Sequence, residues 1–191
     1  PMLRGQTLLA LGSLDEPTPA VVTAVREALR DEGRGVAGAA IHALGMLGVV
    51  AAESAADLTD LLGHAAGERA VAIAGALARV SPEPNPPALD ALLTGVEEGD
   101  PTAAEQAARH LRDLGPRAAM ANRRLMAQLH SPRPQGPTVA VAIVAAKPEL
   151  LDVVAGVLLD QLRSADPSVQ SHAAAELRWL AESHGAGMGS T

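Results

Sequence analysis

Gly33-Arg34-Gly35-Val36-Ala37-Gly38 is the first stretch of this 191-residue chain whose residue types and spacing suit chemistry. A G-x-G-x-x-G run lets backbone close on a dinucleotide pyrophosphate when a strand precedes it and an acidic residue follows about 20 positions later. Glu53 and Asp57 stand near that distance, but the preceding VVTAVREALRDE has the pattern of a helix. The glycines therefore read as a turn between helices rather than a nucleotide loop. The six histidines (42, 64, 110, 130, 172 and 184) form neither H-E-x-x-H nor H-x-x-x-H, the spacings that put two metal ligands on one helix face. There is no G-x-S-x-G to expose a nucleophilic serine, and no Gly-rich loop before the only lysine, Lys147. With no cysteine, thiolate catalysis, disulfides and Cys-ligated zinc are excluded. No catalytic, metal-ligating or cofactor-binding residue is assigned, and the chain reads as more suited to binding than to catalysis.

The polar residues that remain could hold a partner. Glu105, Arg109 and Asp113 recur at i, i+4, i+8, with His110 alongside and Arg79 further upstream. A guanidinium grips a carboxylate or phosphate through forked hydrogen bonds. The same spacing also describes a solvated ladder of ion pairs worth a few tenths of a kcal/mol each. Arg117, Arg123 and Arg124 make a small basic cluster without interleaved aromatics, the composition of a solvated face. The net charge is −7, and residues 1–100 hold 14 acidic against 6 basic residues. Such a surface repels phosphate backbones and disfavours nucleic acid.

These side chains need helices to position them. The chain is 48% apolar, yet Trp179 is its only aromatic residue. Ala and Leu cost little in a helix, whereas strands draw on Tyr, Phe, Ile and Thr. LLALGSL at 8–14 and IHALGML at 41–47 repeat Ala-Leu-Gly at a distance of 33. The period persists: Leu11, Leu44, Leu77, Leu111, Val144 and Leu177 form one column, and Leu14, Leu47, Val80, Leu114, Lys147 and Leu180 a second. Leu29, Leu62, Val96, Leu129 and Leu162 form a third, and Val25, Leu58, Leu92, Leu125 and Leu158 a fourth. Within each unit the apolar spacing is i, i+3, i+4, the period of a helix. Asp100-Pro101 and Asp166-Pro167 are N-cap and N1 pairs, while Gly115-Pro116 and Ala146-Lys147-Pro148 stop helices. PTVAVAIVAA, 137–146, alternates like a strand, but Val144 sits in register and the segment is assigned to helix. Each unit is then two short antiparallel helices, too small to bury a face alone and stable only when stacked. The uncharged run 35–52 approaches the length of a membrane span. Its glycines, His42 and many alanines make it a poor one, and no membrane insertion is expected.

Three segments carry a family resemblance: DPSVQSHAAAELRWL (166–180), DPTAAEQAARHLRDLG (100–115) and GAAIHALGMLG (38–48). They resemble HEAT-like repeats in the short bacterial form named after PBS lyases. The Asp-Pro start is missing at Arg34-Gly35, Gly67-Glu68 and Pro134-Gln135. The resemblance implies an all-α fold, a right-handed α-α superhelix (HEAT-like solenoid) of about five helix pairs plus a leading helix. It spans residues 1–182, with 183–191 as a flexible Gly/Ser-rich tail. It also implies that the second helix of each pair lines a concave binding face, which here would present Met46, Arg79, Arg109, Asp113, Val139, Ile143 and Trp179. The helix with Val139 and Ile143 is apolar all round, which fits either a partner patch or a helix covered from within. Trp179 fits an anchor or a cap on the last repeat.

The expected function is a protein-binding scaffold or adaptor without cofactor, its partner another protein or another domain of a longer parent chain. The opening PMLRG, with Pro before Met, suggests an excised piece. Arg outnumbers Lys 14 to 1, as in a GC-rich bacterial genome, and a cytoplasmic setting is expected. The rival class is a lyase-type or bilin-handling protein. The His-Glu dipeptides of HEAT-like di-iron hydroxylases are absent. If the scaffold reading holds, Trp179 fluorescence stays unchanged on titration with bilins to high micromolar concentration; saturable quenching would favour the rival.

Overall fold

The computed structural model describes residues 2–129 and 139–185, in which eleven α-helices occur and no strand. They are α1 (Met2–Gly12), α2 (Pro19–Glu27), α3 (Arg34–Leu47), α4 (Ala55–Leu62), α5 (Gly67–Val80) and α6 (Pro86–Glu98). There follow α7 (Pro101–Leu114), α8 (Asn122–Leu129), α9 (Val139–Ala146), α10 (Leu151–Gln161) and α11 (Pro167–Gly185). The protein is all-α. Where the sequence suggests one array over residues 1–182, the chain gathers into two compact units, Pro1–Ala91 and Leu92–Thr191. Of the tail expected at 183–191, Ser183–Gly185 continue α11, and 186–191 lie outside the described residues.

The expected punctuation is present. Asp100 accepts N–H bonds from Thr102 at 2.9 Å and Ala103 at 3.0 Å, capping α7. Asp166 accepts from the Ser168 amide at 2.8 Å and its hydroxyl at 2.7 Å at the start of α11. These bonds hold the Asp166 carboxyl below its ordinary pKa. Gly48 and Gly115 end α3 and α7 with φ of 60° and 55°, a region only glycine enters cheaply. Each opens a seven-residue 3₁₀ segment, Gly48–Ser54 and Gly115–Ala121, that leads into the next helix. The strand-like 137–146 segment is helical from Val139 to Ala146.

In the first unit α1 lies against α3 and α3 against α5. A Cβ built on Gly5 meets Ala39, and one built on Gly12 meets Ala43, so α1 and α3 run in the same direction. At Gly12 that Cβ would stand 2.7 Å from the Ala43 Cα; at Gly45 it would stand 3.3 Å from the Ala76 Cα. Both members of this Gly/Ala seam recur after 33 residues. The antecedent helices are also joined: Arg26 on α2 pairs with Asp57 on α4. In the second unit α9 touches α7, α8, α10 and α11. There Arg124 on α8 forks onto Glu97 on α6, at 2.8 and 2.5 Å. Gln161 Nε2 on α10 donates to the Leu129 carbonyl on α8 at 2.6 Å.

Most column residues read from the sequence lie in the core, beside others such as Ile73, Leu89, Leu93 and Val154, whereas Leu11, Leu62, Leu162 and Leu177 are half-buried. Val25, Leu58, Leu92, Leu125 and Leu158 are all fully buried, as are Leu44, Leu77 and Leu111. Full burial of a Leu stabilises by roughly 1.5–3 kcal/mol. Leu14 departs from its column and is exposed. The uncharged run forms α3 and the 3₁₀ segment after it. Within Gly35–Leu62 an 18-residue window has a mean hydropathy of 1.8, long and apolar enough to cross a membrane, but half of that window is buried inside the protein.

The seam makes two glycines respond in opposite ways. Gly12→Ala should destabilise by about 1–3 kcal/mol, because its Cβ collides with α3 backbone. Gly38→Ala, exposed within α3 with nothing within 4 Å of the added Cβ, should stabilise by about 0.5–1 kcal/mol. Urea denaturation of both variants checks the opposite signs.

Candidate functional site

The surface of the first unit is built by α1 and α3. Their outward positions are Leu9 and Ser13, and one period later His42 and Met46, all exposed. Leu9 is 38% and Met46 42% exposed. On α5 the corresponding positions are Gly75, which is buried, and Arg79, half-buried in the last turn.

In the second unit α7 carries the polar ridge. Arg109 Nη2 donates to Glu105 Oε1 at 2.5 Å, one turn away. Arg112 donates to Asp113 through Nε at 3.0 Å and Nη2 at 2.7 Å. Arg109 and Asp113 thus stand in ion pairs on an exposed helix face, where such pairs contribute about 0–1 kcal/mol. The Arg117, Arg123 and Arg124 cluster is not a continuous basic patch, because Arg124 is locked onto Glu97. Trp179 lies on α11 and is 39% exposed.

Val139 and Ile143 correct the sequence reading. They are 2% and 0% exposed, enclosed by the helices around α9, and do not belong to a partner-facing surface. A helix apolar on every side is one covered on every side. The glycines of 33–38 lie at the start of α3: the Gly33 amide donates to Asp31 Oδ1 at 2.8 Å, and the segment before is helix and 3₁₀ turn. That is not the strand-then-loop setting of a dinucleotide site.

One polar group escaped the sequence reading. Glu176, in α11, has no exposed surface. Its Oε1 accepts the Val139 amide at 3.1 Å, at the start of α9. Its Oε2 meets no hydrogen-bond partner among the described residues. His172 Nε2 stands 3.9 Å from Oε1. Burial pushes the Glu176 carboxyl up to about 7, against the opposing pull of the Ala140, Val139 and Val141 amides. Burial likewise holds His172 below the ordinary imidazole value, favouring its neutral form. The signal for Glu176 was in the register: it is the residue beside Leu177 in the column Ala43, Ala76, His110 and Ile143, of which Ala43, Ala76 and Ile143 are buried.

No family model matches the chain, and no curated protein matches it.

The burial of α9 separates two substitutions that the sequence alone treats alike. Ile143→Glu should cost more than about 4 kcal/mol, since it buries an unpaired charge. Met46→Glu should stay within about 1 kcal/mol, since it places the charge in water. Far-UV circular dichroism through a urea titration distinguishes them; equal effects would place Ile143 at the surface after all.

Proposed function

We propose that this chain is a HEAT-like α-solenoid that binds another protein, or another domain of a longer parent chain, along the exposed edges of its second helices. The observation that supports this reading is the display on α1 and α3: parallel neighbours present Leu9 and Ser13, then His42 and Met46, at one-period steps. Side-by-side parallel helices about 8–10 Å apart turn a sequence period into a surface period. An extended partner then meets equivalent positions on successive helices. Leu9 and Met46 supply apolar contact. Arg79, half-buried in the last turn of α5 in the same unit, supplies polar selection at the rim. Binding requires little rearrangement, because the Gly/Ala seam holds α1 and α3 at a fixed separation.

Site-specific photocrosslinking tests the assignment. A photoreactive residue at Met46 should crosslink a captured partner of the full parent protein, and one at Asp60, exposed on α4, should not. Met46→Asp, which leaves the core untouched, should weaken that capture at least about tenfold, the loss typical of an interface anchor. Equal crosslinking from both positions, or undiminished capture by Met46→Asp, overturns the assignment.

A further inference from the structure

We propose that Glu176, which ties α11 to the first turn of α9, is a proton-sensitive latch: the fold it closes is the more stable when its buried carboxyl is protonated. The geometry is specific. A carboxyl with no exposed surface occupies the register position that is apolar and buried at Ala43, Ala76 and Ile143. One oxygen receives the Val139 amide at 3.1 Å, and the other receives no bond among the described residues. An ionised carboxylate in this place is stabilised by the amides of the helix start and penalised by the loss of water. The half-satisfied pair of oxygens leaves the penalty dominant.

The neighbouring charges do not offset it. α9 contains no titratable side chain. On α10, Asp152 and Asp160 are exposed, and Asp160 is engaged by Arg163. On α11 itself, Arg178 pairs with Glu182 at the exposed side. His172 is the one titratable group close to the carboxyl among the described residues, and it is held toward its neutral form. His130 and Arg133 belong to the stretch 130–138, outside those residues.

The direction of the effect follows. The folded carboxyl releases its proton at about 7, against 4.5 when unfolded. Between those values the folded chain holds a proton that the unfolded chain has lost. Stability is therefore complete below about pH 4.5 and declines as pH rises through about 7. His172 acts in the opposite sense: its folded value is lowered, so its contribution is lost as pH falls below the ordinary 6.5.

Trp179, one turn from Glu176 on α11, reports the transition in the full chain. Urea unfolding followed by its fluorescence should show an unfolding constant about tenfold to a hundredfold larger at pH 8 than at pH 5.5. Glu176→Gln, which keeps an acceptor for Val139, should remove most of that dependence and be the more stable protein at pH 8. His172→Gln should leave the dependence in place and steepen it at the acid end. Independently of any variant, the assigned ¹³Cδ signal of Glu176 should titrate near neutrality. A midpoint in the ordinary carboxylate range, a flat profile in His172→Gln, or the same pH dependence in Glu176→Gln each overturns the latch.

Discussion

A chain without Phe or Tyr, its one Trp at the surface, fills its interior mainly with Leu, Ile, Val and Ala, and that succeeds only where helices come close together. Gly12 against Ala43 and Gly45 against Ala76 provide the approach in the first unit. With backbones that near, Leu and Val reach across to the next layer and leave few voids. Every α-helix that opens a pair places one aliphatic side chain wholly inside: Val25, Leu58, Leu92, Leu125 or Leu158. Removing any of them would open a cavity that small neighbours cannot collapse to fill, which is why large-to-small changes in such cores cost about 2–5 kcal/mol. The ion pairs between these helices, Arg26 with Asp57 and Arg124 with Glu97, are partly solvated and secondary to this packing.

That dependence on packing is also why the helices were legible in the sequence. A side chain that must meet its equivalent one unit away leaves a column at fixed spacing, and the column survives in the text of the chain. The Asp100 and Asp166 caps were legible for a different reason: Asp followed by Pro satisfies two requirements of a helix start at once. The 3₁₀ segments at 48–54 and 115–121 were not legible, because their residues suit either helix type and only the glycine φ distinguishes them. The exposure of Leu14 was equally hidden, since a column gives the side a residue faces and not what covers it. For α9 the same ambiguity went the other way: its uniform apolar surface fits a patch or a buried rod, and only the enclosing helices decide. Glu176 was missed because polar residues in a helical pattern are read as facing water, although its register position placed it inside.

Two parts of the structure answer to different physics. The outward edges of α1 and α3 meet water, so a change there leaves folding nearly untouched. The Glu176 carboxyl meets almost no water, so its charge state is coupled to folding itself. On the α7 ridge, Arg109 and Arg112 are already engaged by carboxylates of their own helix, in water, where such pairs contribute little to folding.

The Gly/Ala seam has a bearing on how such a chain grows. Gly12 meets Ala43 and Gly45 meets Ala76, so α3 carries a socket on one flank and a plug on the other, each fitting its equivalent. A tandem duplication of the segment from one glycine to the next would recreate matched joints at both ends without any further substitution. Length is then a trait that unequal recombination can alter in whole units, whereas a gain or loss of a few residues inside α3 would misalign both joints together.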